Sequence, residues 1–383
     1  MNARAQPLHV LDAAPATREP RKLCGRVAEL APATREPRKL CDSAAADLPL
    51  PRGGAALRTH LKPLQPWLDA SGVTEISVNR AREIWIARQG EQYMERHALD
   101  ELTQEVLLEL ARQVATSTEQ EVGREKPLLS AELPGGYRIQ FVLPPAAGRE
   151  VVLSIRKPAV LDLSLEDYEG SGAFEHTNRI GREEEEGERG LRAAYAKREF
   201  GNFLRLAIRT RKNILISAGT DTGKTTLLNA LLKEISPHER LVVIEDTREL
   251  RPPQGNAVRL FYSRGDQGLA RVSAQDLCEA TLRLRPDRIL LGELRGKEAF
   301  TYLRTINSGH PGSITTVHSD SPRLAFEQLA LMVMQGFPNI DKTLVIEYVR
   351  SIIPIVIQGR RAAGRRFISE IYYADAERPV PSS

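Results

Sequence analysis

The sequence predicts an α/β protein in which a parallel sheet with helices on both faces follows a smaller α+β domain. Three observations support this fold class. After Phe203, short apolar runs alternate with helical patterns, which is typical of strands separated by helices. A glycine-rich turn that ends in Lys224 lies between one such strand and the next helix. Before residue 160, one helical segment lies between two pairs of strand-like runs.

Length and composition limit the possible function classes. With 383 residues, of which 41% are hydrophobic, the chain can form two or three domains with real cores. No apolar run is long enough for a membrane span or a signal peptide, so we expect a cytoplasmic protein. The three cysteines provide neither a disulfide framework nor a metal cluster.

The net charge of +4 is concentrated near the N-terminus. Residues 1–52 contain nine Lys or Arg and six Asp or Glu, so the rest of the chain is close to neutral. This balance argues against a dedicated nucleic-acid binder. In the same segment Ala14–Cys24 recurs unchanged as Ala31–Cys41, and the Pro, Arg and Ala content predicts a disordered tail. The alternative is a basic arm that contacts a membrane surface.

The smaller α+β domain is predicted at residues 53–160. An acidic, Gly- and Glu-rich segment at residues 161–200 is predicted to be a linker, and its run Glu183–Glu186 is typical of a solvated surface. The predicted elements of the α+β domain are strands at 73–78, 83–87, 137–143 and 151–156 and a helix at 103–117.

The parallel sheet is predicted in a C-terminal domain at residues 201–383. Ligands of such sheets bind at the carboxyl ends of the strands, which is where the candidate residues of this domain fall. The predicted elements are strands at 213–217, 241–245, 288–292 and 313–317 and helices at 224–235, 273–283, 296–308 and 322–335.

The first of these strand ends has the pattern of a phosphate-binding loop. Backbone N–H groups and the following helix N-terminus are expected to face the phosphates. Lys224 would contact the terminal phosphates and the Thr225 hydroxyl would ligate Mg²⁺. The alternative is an ordinary glycine-rich turn before a helix. The predicted nucleotide-binding residues are Ala218, Gly219, Thr220, Asp221, Thr222, Gly223, Lys224, Thr225 and Thr226.

Two residues are unusual in such a loop. Ala218 stands where the regular pattern has glycine. This is a mild change if φ is negative and a costly one if the loop needs a positive φ there. Asp221 tolerates left-handed φ better than most residues. Its carboxylate, however, opposes anion binding by about 1–4 kcal/mol when it lies about 4–6 Å from a phosphate. That penalty becomes smaller if the side chain points to solvent.

Acidic residues follow two further predicted strands. Glu245 and Asp246 end one apolar run, and Glu293 follows the next. A carboxylate at such a strand end holds Mg²⁺ through water or polarises the attacking water. We predict Glu293 as the catalytic carboxylate and Glu245, rather than Asp246, as a supporting one. The alternative for each is a helix cap or a surface acid.

Histidines and arginines lie close to these acids. His310 and His318 flank the strand at 313–317, but no cysteine or close acidic residue accompanies them, so a metal site is not expected. The histidines have a structural role, or, alternatively, one of them contacts the terminal phosphate of the nucleotide. For the three arginines that precede the Glu293 strand, a phosphate contact and a structural ion pair are both open. These are Arg283, Arg285 and Arg288.

Four segments together resemble, in sequence and spacing, the four boxes of the secretion-system traffic ATPases. They are Ser217–Thr226 (Walker A), Ile244–Leu250 (Asp box), Leu284–Gly296 (Walker B) and Ser308–His318 (His box). Within that family the chain is similar to the VirB-type ATPases of type IV secretion, the eleventh VirB component, over about residues 55–375. The segments that support the narrower resemblance are Thr74–Asn79, Pro127–Gln140 and Ile355–Tyr373. The usual form of the family has glycine at both 218 and 221.

The resemblance implies ATP and Mg²⁺ as ligands and a RecA-like C-terminal domain. It also implies a homohexameric ring at the cytoplasmic face of the inner membrane, with peripheral membrane contact. No direct nucleic-acid binding is expected, because the chain after residue 52 is close to neutral. The implied partners are the other secretion-system components, including the other ATPases of the system. Glu293 would orient or activate water, and Glu245 and His318 would support the site. Arg138 and Arg156 of the N-terminal domain would reach the nucleotide.

The expected function is therefore ATP-driven substrate translocation, or assembly of the pilus or machine, in type IV secretion. The alternative is a ring-forming scaffold that binds nucleotide but hydrolyses little, because Ala218 and Asp221 impair the loop. A third interpretation, a DNA or RNA translocase, is disfavoured by the near-neutral charge of residues 53–383.

Overall fold

The chain forms two helix-covered sheets, an antiparallel one near the N-terminus and a mainly parallel one after it. The tail at 1–52 and the acidic run at 183–185 lie outside the residues that the structure describes. A computed structural model describes residues 54–158, 164–175, 177, 186–264 and 268–376.

The N-terminal sheet has six strands and three α-helices beside it. They are α1 (Gly54–Leu61), α2 (Gln65–Asp69), β1 (Val73–Val78), β2 (Glu83–Arg88), β3 (Glu95–Ala98), α3 (Gln104–Ser117), β4 (Leu128–Leu133), β5 (Tyr137–Val142) and β6 (Val152–Arg156). The strand order is β3-β2-β1-β6-β5-β4, and neighbouring strands are antiparallel. Helix α3 buries Leu107, Leu110 and Val114 in the core of this sheet, since their spacing places them on one side of the helix.

The second sheet has seven strands, with helices before the first strand and between most of the others along the chain. The elements are α4 (Leu165–Gly170), α5 (Glu186–Ala196), α6 (Phe200–Arg209), β7 (Ile214–Ala218), α7 (Lys224–Leu232), β8 (Leu241–Glu245), β9 (Ala257–Phe261), α8 (Ala274–Thr281), β10 (Arg288–Leu291), α9 (Glu298–Asn307), β11 (Ile314–Val317), α10 (Pro322–Gly336), α11 (Lys342–Ile352), β12 (Ile355–Ala362) and β13 (Arg365–Tyr373). The strand order is β13-β12-β7-β11-β10-β8-β9. All neighbouring strands are parallel except β13, which pairs antiparallel with β12 at one edge.

Both faces of the parallel sheet are covered. On β7, Ile214 and Ile216 pack in a core with α5, α6 and α7, whereas Leu215 packs in the opposite core with α8 to α11. This alternation is what the two-residue period of a strand requires. The predicted α/β fold class, with helices on both faces of a parallel sheet, is thus confirmed.

Helix α5 lies inside the segment 161–200 that the composition suggested as a linker. Its residues Leu191 and Ala194 are buried in the same core as β7, because the helix has one apolar side despite its charged composition. The layer that covers the parallel sheet therefore begins before residue 201.

A buried cluster of three polar side chains connects the two sheets. The Arg240 guanidinium, at the start of β8, donates to the side-chain oxygens of Asn79 and Asn256. The Asn79 amide in turn donates to Asn256 at 2.9 Å. Burial lowers the pKa of Arg240 to about 10, which leaves it charged at neutral pH. Among the described residues, no helix combines the length and apolar composition that crossing a bilayer requires.

Candidate active site

The candidate residues of the C-terminal domain follow four adjacent strands, β7, β11, β10 and β8. The phosphate loop follows β7 and His318 follows β11. Glu293 comes two residues after β10, and Glu245 ends β8. Because these strands are parallel, their carboxyl ends meet at one edge of the sheet, where ligands of open α/β sheets bind. The fold therefore brings these predicted residues together.

The phosphate loop is a tight turn between β7 and α7. Asp221 and Gly223 have φ angles of 56° and 89°, and α7 begins directly after Gly223. The Thr222 hydroxyl donates to the Gly219 carbonyl at 2.8 Å and closes the turn. Thr220 lies in the same turn, and Thr225 and Thr226 lie in the first turn of α7. The N–H groups of that first turn have no partners within the helix and are suited to binding an anion.

Lys224, His318 and Glu293 form a connected group. The Lys224 ammonium donates to the carbonyls of Ala218 and Gly219, both at 3.1 Å. It also lies 3.1 Å from Nδ1 of His318, which must accept because an ammonium group only donates. Nε2 of the same ring lies 2.9 Å from Oε1 of Glu293. Burial lowers the pKa of Lys224, and the Glu293 carboxylate opposes that shift.

A second group surrounds Thr225. Its hydroxyl donates to Oε2 of Glu249 at 2.7 Å. The position of Glu249 is fixed by Glu245, whose Oε1 accepts the backbone N–H groups of Glu249 and Leu250 at 2.8 and 2.7 Å. The other oxygen of buried Glu245 accepts from Arg259 at 2.9 Å. Glu245 thus holds the loop that carries Glu249, in line with its predicted supporting role, which stays a prediction.

Sequence reasoning did not single out Glu249 or Arg295. The Arg295 guanidinium contacts the Glu293 carboxylate, which is only 13% exposed. Both residues belong to boxes already recognised, since Glu249 lies four residues after Glu245 and Arg295 two residues after Glu293. Their position within these boxes was the signal that the sequence offered for a role in the site. Which side chains of a loop face the site, however, depends on the backbone conformation of that loop.

A cavity of about 560 Å³ lies beside these groups. Its lining includes Glu249 and Arg295 together with Asp246, Tyr262 and Arg264. Asp246 forms an ion pair with Arg264, which gives it a local partner away from Thr225. Burial raises the pKa of Tyr262 to about 12, so this hydroxyl is neutral. The volume lies in the range of small-molecule sites.

Ala218 is accommodated by the neighbouring strand. It is buried, ends β7 in extended conformation and has no positive φ angle, so the strained case does not occur. It pairs with Gly359 of β12, where an added Cβ would lie 3.2 Å from the Ala218 methyl group. The methyl group therefore fills space that Gly359 leaves open.

Gly359→Ala is expected to lower the free energy of unfolding by about 1–3 kcal/mol, the usual effect of inserting a methyl group into a packed position. Urea denaturation followed by circular dichroism measures this change. With Ala218→Gly in the same chain the two positions exchange their methyl group, and most of the stability should return. A loss from Gly359→Ala that is equally large with and without Ala218→Gly would contradict this account.

The side chain of Asp221 extends from the phosphate loop toward the β12–β13 hairpin. One carboxylate oxygen contacts Arg361 and the other contacts Arg366. Nε of Arg366 also donates to the Asp221 carbonyl at 3.1 Å. Both arginines belong to the β12–β13 hairpin, so the carboxylate is turned toward that hairpin and is paired with positive charge.

Arg138 and Arg156 lie on the N-terminal sheet, directly opposite each other on β5 and β6. Nε of Arg156 lies 3.1 Å from Oε2 of Glu75, and Nε of Arg285 lies 3.9 Å from the same oxygen. In the described part of the chain, neither Arg138 nor Arg156 has a hydrogen bond or ion pair to the phosphate loop. Their predicted contact with nucleotide stays a prediction.

Two of the remaining candidates, Arg288 and His310, have structural contacts. Arg288 is buried and donates to both carboxylate oxygens of Glu239, at 2.7 and 2.9 Å. Arg283 is exposed. Nδ1 of His310 lies 3.0 Å from the Thr305 carbonyl near the end of α9, so the ring serves the helix terminus. Of the two histidines, only His318 lies at the strand ends.

The oxygen atoms of the site fit a magnesium ion that is shared with a phosphate. The described residues contain no group of three or more His, Cys, Asp or Glu side chains that could hold a metal ion. Thr225 and Glu249 nevertheless place a hydroxyl and a carboxylate oxygen 2.7 Å apart next to the phosphate loop. Mg²⁺ commonly binds through one or two protein oxygens, with water and phosphate as its other ligands.

Comparison with known proteins agrees with this arrangement. Residues 58–358 match the family model described as Type II/IV secretion system protein. The type IV secretion system protein VirB11 of Bartonella quintana is 39% identical over 334 residues, which cover 83% of this chain and 93% of that protein. PtlH, a type IV secretion system protein of Bordetella pertussis, is 40% identical over 335 residues, which cover 84% and 96%.

A solved structure gives the same result for the fold. The VirB11 ATPase from the Brucella suis type IV secretion system, crystallised in complex with sulphate, matches with a TM-score of 0.79 and 36% identity. The match covers 84% of this chain and 98% of that one. The resemblance found in the four sequence boxes is thereby confirmed. The chain belongs to the type II/IV secretion system protein family and is a relative of the VirB11 proteins.

Proposed function

We propose that the protein is an ATP-hydrolysing motor of a type IV secretion system. The observation that carries this proposal is the group formed by Lys224, His318 and Glu293 at the strand ends, joined by contacts of 3.1 and 2.9 Å. It combines a cation for phosphate with a carboxylate for water, and phosphoryl transfer depends on such positioned charges. The Brucella suis relative, an ATPase crystallised with sulphate, supports the same ligand class.

Lys224 binds the terminal phosphates together with the N–H groups at the start of α7. Its ammonium lies at the loop and donates to two neutral carbonyls. A charged phosphate oxygen is a stronger acceptor than these carbonyls, so the exchange is favourable. Glu293 accepts a hydrogen bond from the attacking water and orients it. His318 lies between these two side chains and keeps them at a fixed separation.

Mg²⁺ would be held by the Thr225 hydroxyl, with the Glu249 carboxylate as a further oxygen directly or through water. When bound, the ion neutralises charge on the β- and γ-phosphates. Glu245 supports this part of the site because it fixes the backbone of Glu249. Arg138 and Arg156, exposed on the N-terminal sheet, stabilise phosphate charge from that domain, as the family resemblance implies.

In the cell we place the protein in a homohexameric ring at the cytoplasmic face of the inner membrane. There it acts with the other components of the system, including the other ATPases, in substrate translocation or in assembly of the pilus or machine. The names of the VirB11 and PtlH relatives, both type IV secretion system proteins, support the assignment to this system.

A scaffold that binds nucleotide and hydrolyses little is the second candidate, and Asp221 is the residue that motivates it. Its contacts with Arg361 and Arg366 weaken the case, because a paired carboxylate repels phosphate less than an unpaired one. The absence of strain at Ala218 weakens it further.

Phosphate release from Mg-ATP by the purified protein tests the motor. We expect turnover that Lys224→Ala reduces to the background of the assay, because the variant lacks the cation that binds the terminal phosphates. Equal rates for the two proteins would refute the proposal.

The double variant Ala218→Gly with Asp221→Gly separates the two candidates. A rise in turnover of about tenfold or more supports the scaffold, and an unchanged rate supports the motor.

A further inference from the structure

The end of the β12–β13 hairpin places two positive charges beside the phosphate loop. Arg361 and Arg366 are direct partners across the two antiparallel strands. Their side chains are 51% and 53% exposed. Like charges in directly opposite positions of a sheet repel each other. Such a pair therefore favours an anion between the two guanidinium groups.

Asp221 supplies that anion. Each of its carboxylate oxygens contacts one of the two arginines. Arg366 makes a second contact, from Nε to the Asp221 carbonyl at 3.1 Å. The stem of the same side chain covers Gly223, since a Cβ on that glycine would lie 3.5 Å from Cδ of Arg366. The hairpin thus holds both the carboxylate and the backbone of the loop.

We propose that Arg361 and Arg366 form an arginine clamp, whose task is to position Asp221. The clamp turns the carboxylate away from the bound phosphates and cancels its charge, so that a phosphate loop with aspartate at this position retains its affinity for nucleotide. The two arginines act through Asp221 and need not touch the nucleotide. This proposal rests on the proposed nucleotide site.

The alternative effect of the hairpin is a general one. Two exposed arginines near the loop attract phosphate through their field whether or not residue 221 is acidic. Positioning, in contrast, has an effect only where Asp221 is present. The two explanations therefore differ in how the arginines and Asp221 combine, which a double-mutant cycle measures.

The test measures the dissociation constant of a fluorescent ADP analogue, with Mg²⁺ and at low ionic strength, for four proteins. These are the wild type, Arg361→Gln with Arg366→Gln, Asp221→Gly, and the triple variant that combines these changes. We expect loss of the clamp to weaken binding by about 10- to 100-fold in the chain that retains Asp221, the range for an uncompensated like charge at a few ångströms. In the Asp221→Gly chain the same change should weaken binding several times less. Binding by the triple variant shows at the same time that the hairpin without its clamp still folds.

A matched control is available on the same hairpin. Arg360 and Arg365 are also exposed there, and within the described residues neither side chain has a hydrogen bond or ion pair. Arg360→Gln with Arg365→Gln removes the same charge and should weaken binding far less than loss of the clamp. Equal losses of affinity with and without Asp221→Gly would overturn the clamp alone. The same conclusion would follow if the control variant weakened binding as much as the clamp variant does. A wild type that binds no analogue would overturn the proposed function, and the clamp with it.

Discussion

Glu293→Gln is expected to lower the rate of ATP hydrolysis by about 10²- to 10⁴-fold, the usual contribution of a positioned acid–base group. The amide has the size and shape of the carboxylate but lacks its charge and accepts hydrogen bonds at one oxygen only. It would therefore orient the attacking water poorly. Nucleotide affinity should not fall, because the change removes a negative charge close to the phosphates. Turnover of Mg-ATP and the dissociation constant for ATP measure the two effects separately.

Glu347→Gln is the matched control for this experiment. Glu347 is an exposed carboxylate on α11, outside the group at the strand ends, so the same chemical change should leave turnover unaltered. Hydrolysis by Glu293→Gln at the wild-type rate would remove Glu293 from the catalytic role. A loss of affinity that equals the loss of rate would instead assign Glu293 to binding.

Arg288→Met is expected to reduce the free energy of unfolding by about 3–5 kcal/mol, as is usual when one partner of a buried ion pair is removed. Arg288 is 1% exposed and holds Glu239 through two nitrogen–oxygen contacts. It also donates to the carbonyl of Ile208 on α6 and to that of Gly312 in the turn before β11. The variant leaves the Glu239 carboxylate buried with Arg211 as its remaining ionic partner. Urea denaturation followed by circular dichroism measures the change.

Arg283→Met provides the control, since Arg283 is exposed on the same segment and should change stability by about 0.5 kcal/mol or less. The double variant Arg288→Met with Glu239→Gln removes both charges, so its loss should be smaller than the sum of the single losses. Additive losses would show that the pair does not act as a unit. A wild-type unfolding curve for Arg288→Met would rule out a structural role for the ion pair.

The parallel sheet and the group at its strand ends could be predicted because their signals are local. The apolar runs in β7, β8 and β10 are short and continuous, as buried parallel strands are. In β11 two β-branched threonines, which favour strands, lie between Ile314 and Val317. The residues Lys224, Glu293 and His318 then follow from the rule that site residues lie after such strands. The four boxes, taken in their order along the chain, led to the same three residues.

Other parts of the fold gave no such signal. Strand β3 has the sequence of an exposed edge, with charged residues at Glu95 and Arg96, and therefore lacks the apolar alternation of a half-buried strand. The environment of Asp221 was also out of reach, because Arg361 lies 140 residues away in sequence and the contact depends on β12 pairing with β7. The loop pattern identified Asp221 as unusual, but only the sheet order shows which side chains surround it.

The place of β12 in the sheet has a consequence for where the chain can be shortened. Strand β12 lies between β7 and β13, so β7 has a hydrogen-bonded neighbour on each side. A protein truncated before Ile355 would expose the N–H and C=O groups along one side of β7, an apolar strand that is buried throughout. Unprotected edges of this kind pair with other chains and promote aggregation. Strand β12 is therefore part of the body that carries the phosphate loop, and a stable fragment must extend through this strand.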